Sequence, residues 1–194
     1  MPPFDWPRTL IARGAEPLQA EHLRHRAMSA PGGALHCFVL DCSGSMRTGG
    51  RLAQAKGVLL ALMDEAYRRR DAVALLCFGG DTVELRVPPQ RAAAWNDAWV
   101  APIGGGGGTP LAAAVQQADA LLMRQTGRMR WLWLLSDGRS TEAPPRPLSA
   151  ERLIVVDFES GRGSLGRAAL LADRWAPCRL LRPEDAGIGA IAPA

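Results

Sequence analysis

Asp41, Ser43 and Ser45 alternate where the apolar run His36-Cys-Phe-Val-Leu-Asp41 gives way to a glycine-broken loop. Such a run has the pattern of a buried parallel strand. An acid and two hydroxyls therefore stand at a strand's carboxyl end, where ligands bind in open α/β sheets. Oxygen donors with no nearby His or usable Cys suit a small hard cation such as Mg²⁺, which takes oxygen only and keeps several waters; oxygen ligands accept Mn²⁺ as well. Two further oxygen sources occupy similar positions: Thr109 after the glycine run 104–108, and Asp137 after Trp131-Leu-Trp-Leu-Leu-Ser136.

Each of the two distant residues also has a purely structural reading. Five consecutive glycines make either a flexible loop or a backbone that must approach something closely in conformations closed to other residues. Thr109-Pro110 then matches a helix start, with Thr at the cap and Pro in the first helical position. A helix start suits a cap and a metal-facing hydroxyl equally. Asp137-Gly138 after a strand reads as a turn when taken alone.

The elements that must position these residues follow from periodicity. Apolar residues at Leu52, Ala55, Leu59, Leu62, Met63 and Ala66 give a helix over about 51–70, and Ala72 to Phe78 a strand. Gly79-Gly80-Asp81 forms a tight turn into Thr82-Val-Glu-Leu-Arg-Val87, whose alternation predicts a half-exposed antiparallel edge strand ended by Pro88-Pro89. Arg91 to Val100 reads as a helix with Trp95 and Trp99 on one face, and Leu111 to about Gln125 as another. Arg130 to Ser136 is a central strand, Leu153 to Phe158 a further strand, Leu165 to Trp175 a helix and Cys178 to Leu181 a last short strand. The fold class is α/β: a doubly wound, mostly parallel sheet with one antiparallel edge strand and helices on both faces. Before all this, Asp5 to Ile11 reads as an extended segment and Leu18 to Met28 as a short helix, with His22 and His25 in solvated positions.

Composition narrows the function classes. At 194 residues, 47% of them hydrophobic, one domain with a sizeable core is expected. No apolar run is long enough for a membrane span, and Pro2, Pro3, Asp5 and Pro7 stand where a signal peptide would be basic then apolar. A cytoplasmic protein is the resulting expectation. The net charge is +4 and Lys56 is the single Lys. The run Arg68-Arg69-Arg70 falls at a helix end, where cations complement the dipole, and no interleaved aromatics point to nucleic acid. Cys37, Cys42, Cys77 and Cys178 lack metal-ligand spacing and read as free thiols in a reducing compartment.

Asp41-x-Ser43-x-Ser45 with distant Thr109 and Asp137-Gly138 resembles the metal-ion-dependent adhesion site of von Willebrand factor A domains. Within that family, the chain is similar to the carboxyl-terminal domain of the magnesium chelatase D subunit. The matching stretches include Phe38 to Met46, Ala55-Lys-Gly57, Arg70 to Leu75, Phe78 to Asp81, Val87-Pro-Pro89, Gly106 to Ala112 and Ser136-Asp-Gly-Arg139. The mixed start before Pro31-Gly-Gly33 and the Gly- and Ala-rich end set the expected division: an arm over 1–30, the A domain over 31–184 and a tail over 185–194. The resemblance implies that Ser43, Ser45 and Thr109 contact Mg²⁺ directly, while Asp41 and Asp137 hold its waters or bind at longer range. Neutral hydroxyls leave the ion enough charge to accept a partner's carboxylate, and Met46, Asp81, Gly108 and Arg139 are the expected partner contacts. The implied role is a non-catalytic subunit of a chelatase assembly. An AAA+ ATPase subunit and a large subunit, both in trans, would insert Mg²⁺ or Co²⁺ into a tetrapyrrole for chlorophyll or cobalamin synthesis. Family members often carry Arg-Gly-Asp at the hairpin, where this chain has Gly79-Gly80-Asp81.

Two other readings use the same residues. One is an adaptor for another ATPase of the MoxR type, unconnected with tetrapyrroles. The other is an enzyme, because the pattern also resembles aspartate-nucleophile phosphatases of the haloacid dehalogenase type. Those need a second acid two residues after the nucleophile, where Ser43 cannot serve as a general acid near neutral pH, and a phosphate-steadying Lys, whereas Lys56 lies inside a helix. No P-loop lysine precedes Thr109, and no zinc-protease or serine-elbow motif is present.

Overall fold

The computed structural model describes residues 6–23, 33–93, 109–159 and 165–186. Its strands are β1 (Ala34–Asp41), β2 (Ala72–Gly79), β3 (Thr82–Arg91), β4 (Met129–Ser136), β5 (Arg152–Asp157) and β6 (Arg179–Leu181). They form one sheet in the order β3-β2-β1-β4-β5-β6, all parallel except for β3. The order reverses direction between β1 and β4, and that reversal opens a crevice beyond the strands' carboxyl ends. Asp41 ends β1 and Ser136 ends β4.

Alternation along β1 serves two cores. Phe38 and Leu40 face the helix α3 (Arg51–Arg68), which buries Ala55, Leu59, Leu62, Met63 and Ala66. Leu35, Cys37 and Val39 face the opposite layer, built from α4 (Leu111–Met123) and α5 (Arg167–Arg174). Side chains of a strand alternate between faces, so a run apolar at every position needs helices on both sides. Each fully buried leucine of α3 contributes about 1.5–3 kcal/mol relative to exposure.

Several local expectations are corrected. Trp6–Arg13 is an α-helix, α1, and not an extended segment. Pro7 is tolerated in a first turn, where the amide has no helical partner. The start of the expected 18–28 helix is only a 3-10 turn at Ala20–His22, and 24–32 lie outside the described residues. His22 is buried and not solvated: its Nδ1 accepts the Gln19 amide at 3.2 Å. Pro88-Pro89 do not end β3, which pairs with β2 as far as Arg91 through two register shifts. An edge strand tolerates prolines because half of its amides need no partner. Arg91 is therefore strand, and the rest of the predicted 91–100 helix, with Trp95 and Trp99, lies outside the described residues beyond Ala93. The loop after Ser43 contains a short helix, α2 (Gly44–Arg47), that the glycines concealed.

The end of α3 departs from the usual residue choice. The Asp71 amide donates to Ala66 O at 2.9 Å and the Arg70 amide to Tyr67 O at 3.0 Å, the paired bonds of a Schellman turn. That turn requires a left-handed residue, and Arg70 has φ 60°. Arg70→Gly is expected to stabilise the fold by about 1 kcal/mol, a rise of roughly 2–4 °C in Tm by calorimetry. An unchanged or lower Tm would mean that the Arg side chain compensates its own strain. The other two cations of the run are occupied within the helix, with Arg68 near Asp64 and Glu65 and Arg69 bonded to Glu65.

A buried polar chain crosses the amino-terminal ends of the strands. Trp133 Nε1 donates to His36 Nδ1 at 3.2 Å, so the other ring nitrogen carries the proton and donates to Asp71 Oδ2 at 3.3 Å. Asp71 Oδ1 accepts the Ala34 amide at 2.8 Å. Burial pushes the Asp71 carboxyl up, but the bonds from His36 and Ala34 outweigh it and the group titrates below the usual range. A depressed folded pKa contributes stability above the unfolded value, near 3.9, that is lost as pH falls through the folded one. Asp71→Asn should therefore flatten the fall in urea midpoint on moving from pH 6 toward pH 3. Parallel pH profiles for the two proteins would contradict this.

Candidate metal centre

The crevice between β1 and β4 gathers the acid and hydroxyl residues through a register set far from it. Leu40 stands opposite Leu135, so the next residues, Asp41 and Ser136, meet at the rim. Asp41 is 1% exposed. Its Oδ1 accepts the Ser43 amide at 2.9 Å, and its Oδ2 accepts the Ser136 hydroxyl at 2.6 Å. Burial raises the Asp41 pKa, against the hydrogen bonds from Ser136 and Ser43. The carboxylate is thus a fixed strut that bends the chain back and ties β1 to β4. The bend lays Ser43 Oγ 3.1 Å from Ser45 Oγ.

Ser136 joins the two loops. Its oxygen also accepts the Gly138 amide at 3.0 Å, which turns the chain just after Asp137. Asp137 Oδ1 takes the Arg139 amide at 3.2 Å. Asp137 Oδ2 is buried and has no hydrogen-bond donor among the described residues. The nearest cations, Arg51 Nη1 and Arg139 Nε, both lie 3.9 Å from it, beyond hydrogen-bond reach. The same Arg51 nitrogen donates to Ser45 O at 3.1 Å, so Asp137 and the Ser45 segment flank one guanidinium.

Thr109 is half-buried at the start of α4, but it is not the cap. Pro110 holds that position, and no side chain of the cap residue bonds the helix. Because Pro110 carries no hydrogen-bonding side chain, Glu142 supplies the missing acceptor, taking the Ala112 amide on Oε2 at 2.6 Å. Ser140 Oγ donates to Thr109 O at 3.4 Å and ties the Thr109 segment to the loop after Asp137.

Two glycines allow this crowding. A Cβ on Gly79 would lie 2.9 Å from Cys42 C and 3.0 Å from Cys42 O, so the end of β2 sits directly against the Asp41–Ser43 backbone. Gly138 has φ 66°, and its Cβ would lie 2.8 Å from Ala168 N in α5. Gly79 and Gly138 fix the two strand ends against their neighbours without side chains in the way.

The residues fit a hard divalent cation. Two hydroxyls lie together, a buried carboxylate oxygen lacks a donor among the described residues, and a carboxylate already braced by hydrogen bonds to Ser43 and Ser136 completes the set; such oxygens suit Mg²⁺ or Mn²⁺. Among the described residues, no group of three His, Cys, Asp or Glu side chains could hold a metal. A phosphatase role fits poorly: both oxygens of Asp41 are engaged, and Ser43 takes the place of the acid.

The partner positions diverge. Asp81 is exposed in the β2–β3 turn, and the Arg139 side chain is 39% exposed. Gly108 lies outside the described residues. Met46 is fully buried among the α3-side core residues; it anchors the loop from below and presents nothing to a partner. Ser136, Ser140 and Arg51 are structural members of the site that residue type alone did not single out. The signal for Ser136 was its place next to Asp137 at a strand end.

A family model described as von Willebrand factor type A domain matches residues 37–139, more than half the chain. An uncharacterized protein of Mycobacterium tuberculosis is 36% identical over 179 residues, covering 83% of this chain and 28% of that protein. The magnesium-chelatase 67 kDa subunit of Heliobacterium mobile is 38% identical over 175 residues, covering 78% of this chain and 26% of that subunit. The magnesium-chelatase 60 kDa subunit of Cereibacter sphaeroides is 43% identical over 108 residues, 55% of this chain and 19% of that subunit. The chain thus spans little more than a quarter of these relatives at most. The fold is also that of the SpRpn10 VWA domain, with TM-score 0.56, 12% identity and coverage of 82% of this chain and 99% of that one. An aerotolerance-related membrane protein from Bacteroides fragilis shares it with TM-score 0.58, 19% identity and coverage of 77% and 91%. With the strand order, the loop chemistry and the matched span in agreement, this chain belongs to the von Willebrand factor type A domain family.

Proposed function

We propose that this chain is a metal-dependent protein-docking subunit of an ATPase-driven metal chelatase assembly. The observation that carries the docking half is the buried Asp137 Oδ2, which has no donor among the described residues, on the other side of Arg51 from the Ser45 segment, whose hydroxyl pairs with that of Ser43. Ser43, Ser45 and Thr109 would hold Mg²⁺ through their hydroxyls, with Asp41 and Asp137 behind them. When bound among mainly neutral hydroxyls, such an ion supplies an electrophilic point for a partner's carboxylate. The chain's own residues do the rest. Asp41 keeps the Ser43 loop bent, Ser136 locks that loop to β4, and burial of both acids keeps water from competing for them. Arg139 and Asp81 are the proposed partner contacts at the rim.

Kinship with magnesium-chelatase subunits supports the chelatase half. The proposed partners in trans are an AAA+ ATPase subunit and a large chelatase subunit, and the cargo is Mg²⁺ or Co²⁺ destined for a tetrapyrrole. No helix among the described residues is long and apolar enough to cross a membrane; the cytoplasm is the proposed compartment.

The test is co-purification of the tagged chain from its own cells, with Mg²⁺ or with chelator, followed by mass spectrometry. Recovery of an ATPase and a large chelatase subunit in Mg²⁺, and their loss in chelator, is the expected result. Recovery of an ATPase without any chelatase component would favour the adaptor role. Partners that ignore the chelator would remove the metal from the mechanism.

A further inference from the structure

A cavity of about 260 Å³ opens beside the candidate metal centre and shares its wall, because Ser136, Gly138 and Ser140 line it. Its sides are apolar: Leu111 from α4, Leu134 and Val155 from the sheet, and Leu171 from α5, all buried. Its volume falls below the roughly 300–1,000 Å³ of sites for drug-sized ligands. It exceeds the ~150 Å³ of an engineered cavity that takes up benzene. The space therefore matches one bulky aliphatic side chain better than a free cofactor.

The mouth carries the opposite character. Arg167 and Arg174 line it, and Leu170 stands there 66% exposed. Arg167 Nη1 donates to the carbonyls of Arg139 and Ser140 at 3.3 and 3.1 Å, and Arg174 Nη1 to that of Ala143 at 3.1 Å. Among the described residues neither guanidinium pairs with a carboxylate, and Glu142, which also lines the cavity, bonds the head of α4. Two cations fixed by neutral acceptors keep their charge and further donors for an incoming anion.

We propose that the cavity is a specificity pocket for the docked partner, an acidic segment with an aliphatic residue beside the carboxylate that reaches the metal centre. The aliphatic side chain enters between α4 and α5, and a second acid of the segment meets Arg167 and Arg174. This rests on the metal-dependent docking reading, but the apolar selectivity is a separate property of a separate set of residues.

The experiment uses the full chain and fluorescein-labelled peptides containing Asp-Leu-Glu, Asp-Ala-Glu or Asn-Leu-Gln between glycines, followed by anisotropy with MgCl₂ or chelator. The Leu peptide should bind about tenfold more tightly than the Ala peptide, as burial of the larger side chain implies. Ala143→Phe, an exposed position at the cavity, should erase that preference and leave the Mg²⁺ dependence intact. Arg174→Glu should weaken both acidic peptides. Equal affinities for the Leu and Ala peptides, or no binding by either, would overturn the pocket. A Leu preference that survives chelator would keep the pocket and refute the metal reading instead.

Discussion

Asp41→Asn is expected to remove about half or more of the stabilisation that Mg²⁺ is proposed to give this protein, while leaving the fold nearly as stable as before. The residue is 1% exposed and both carboxylate oxygens are engaged, by the Ser43 amide and the Ser136 hydroxyl. Asn keeps an acceptor for one and offers a donor to the other, so Ser136 must rotate its proton elsewhere, at about 1 kcal/mol. Removal of a negative charge that burial disfavours offsets part of that loss. The charge behind the hydroxyls is gone, however, and supporting groups of this kind are worth roughly 10–100-fold in metal affinity. A ligand at 100 times its Kd stabilises by about 2.7 kcal/mol, or roughly 5–10 °C in Tm for a chain of this size. At the same MgCl₂ the variant would keep about 0.4–1.4 kcal/mol, so thermal unfolding with and without MgCl₂ reads the difference: a clear shift for the unaltered protein and at most about half of it for the variant. Equal shifts in both would place the ion somewhere else.

Gly138→Ala should be the most damaging single-methyl change at the site. Its backbone is left-handed, φ 66°, which costs a non-glycine residue about 1–2 kcal/mol. Its new Cβ would also lie 2.8 Å from Ala168 N and 3.1 Å from Ala168 Cβ, and overpacking of that kind adds about 1–3 kcal/mol. A drop of roughly 5–15 °C in Tm is expected. The damage is also local to function, since the Gly138 amide bonds Ser136 Oγ, which in turn holds Asp41. Gly127→Ala is the control: φ is 73°, with nothing among the described residues within 4 Å of its Cβ. It should show the backbone penalty alone. Were the two variants equally stable, the packing of α5 against the Asp137 loop would carry no weight.

Much of the fold was legible because its signals are local. Continuous apolar runs marked β1, β2 and β4 as buried on both faces, alternation marked β3 as an edge, and the spacing of Leu59, Leu62 and Met63 marked the inner face of α3. The errors fell where local signals compete. Pro88-Pro89 looks like a terminator until β3 proves to be an edge that tolerates lost donors. Thr109-Pro110 has the composition of a cap, yet Pro110 takes the cap position and Glu142, distant in the chain, satisfies the helix. Met46 sits inside a motif of ligands but is itself part of the core.

By itself, the sequence determined the kinds of donor, their order and the strand ends that carry them, because residue type and period are properties of a few consecutive positions. Only the tertiary structure decided which oxygens are already engaged and which is left without a donor. The Asp41–Ser136 bond spans 95 residues, and it exists because Leu40 pairs with Leu135 across a crossover. The unsatisfied oxygen of Asp137 likewise depends on Arg51 and Arg139 both stopping 3.9 Å short of it. Hydrogen bonds are decided within a few tenths of an ångström, a precision that periodicity along a chain does not contain and that packing of the whole domain supplies.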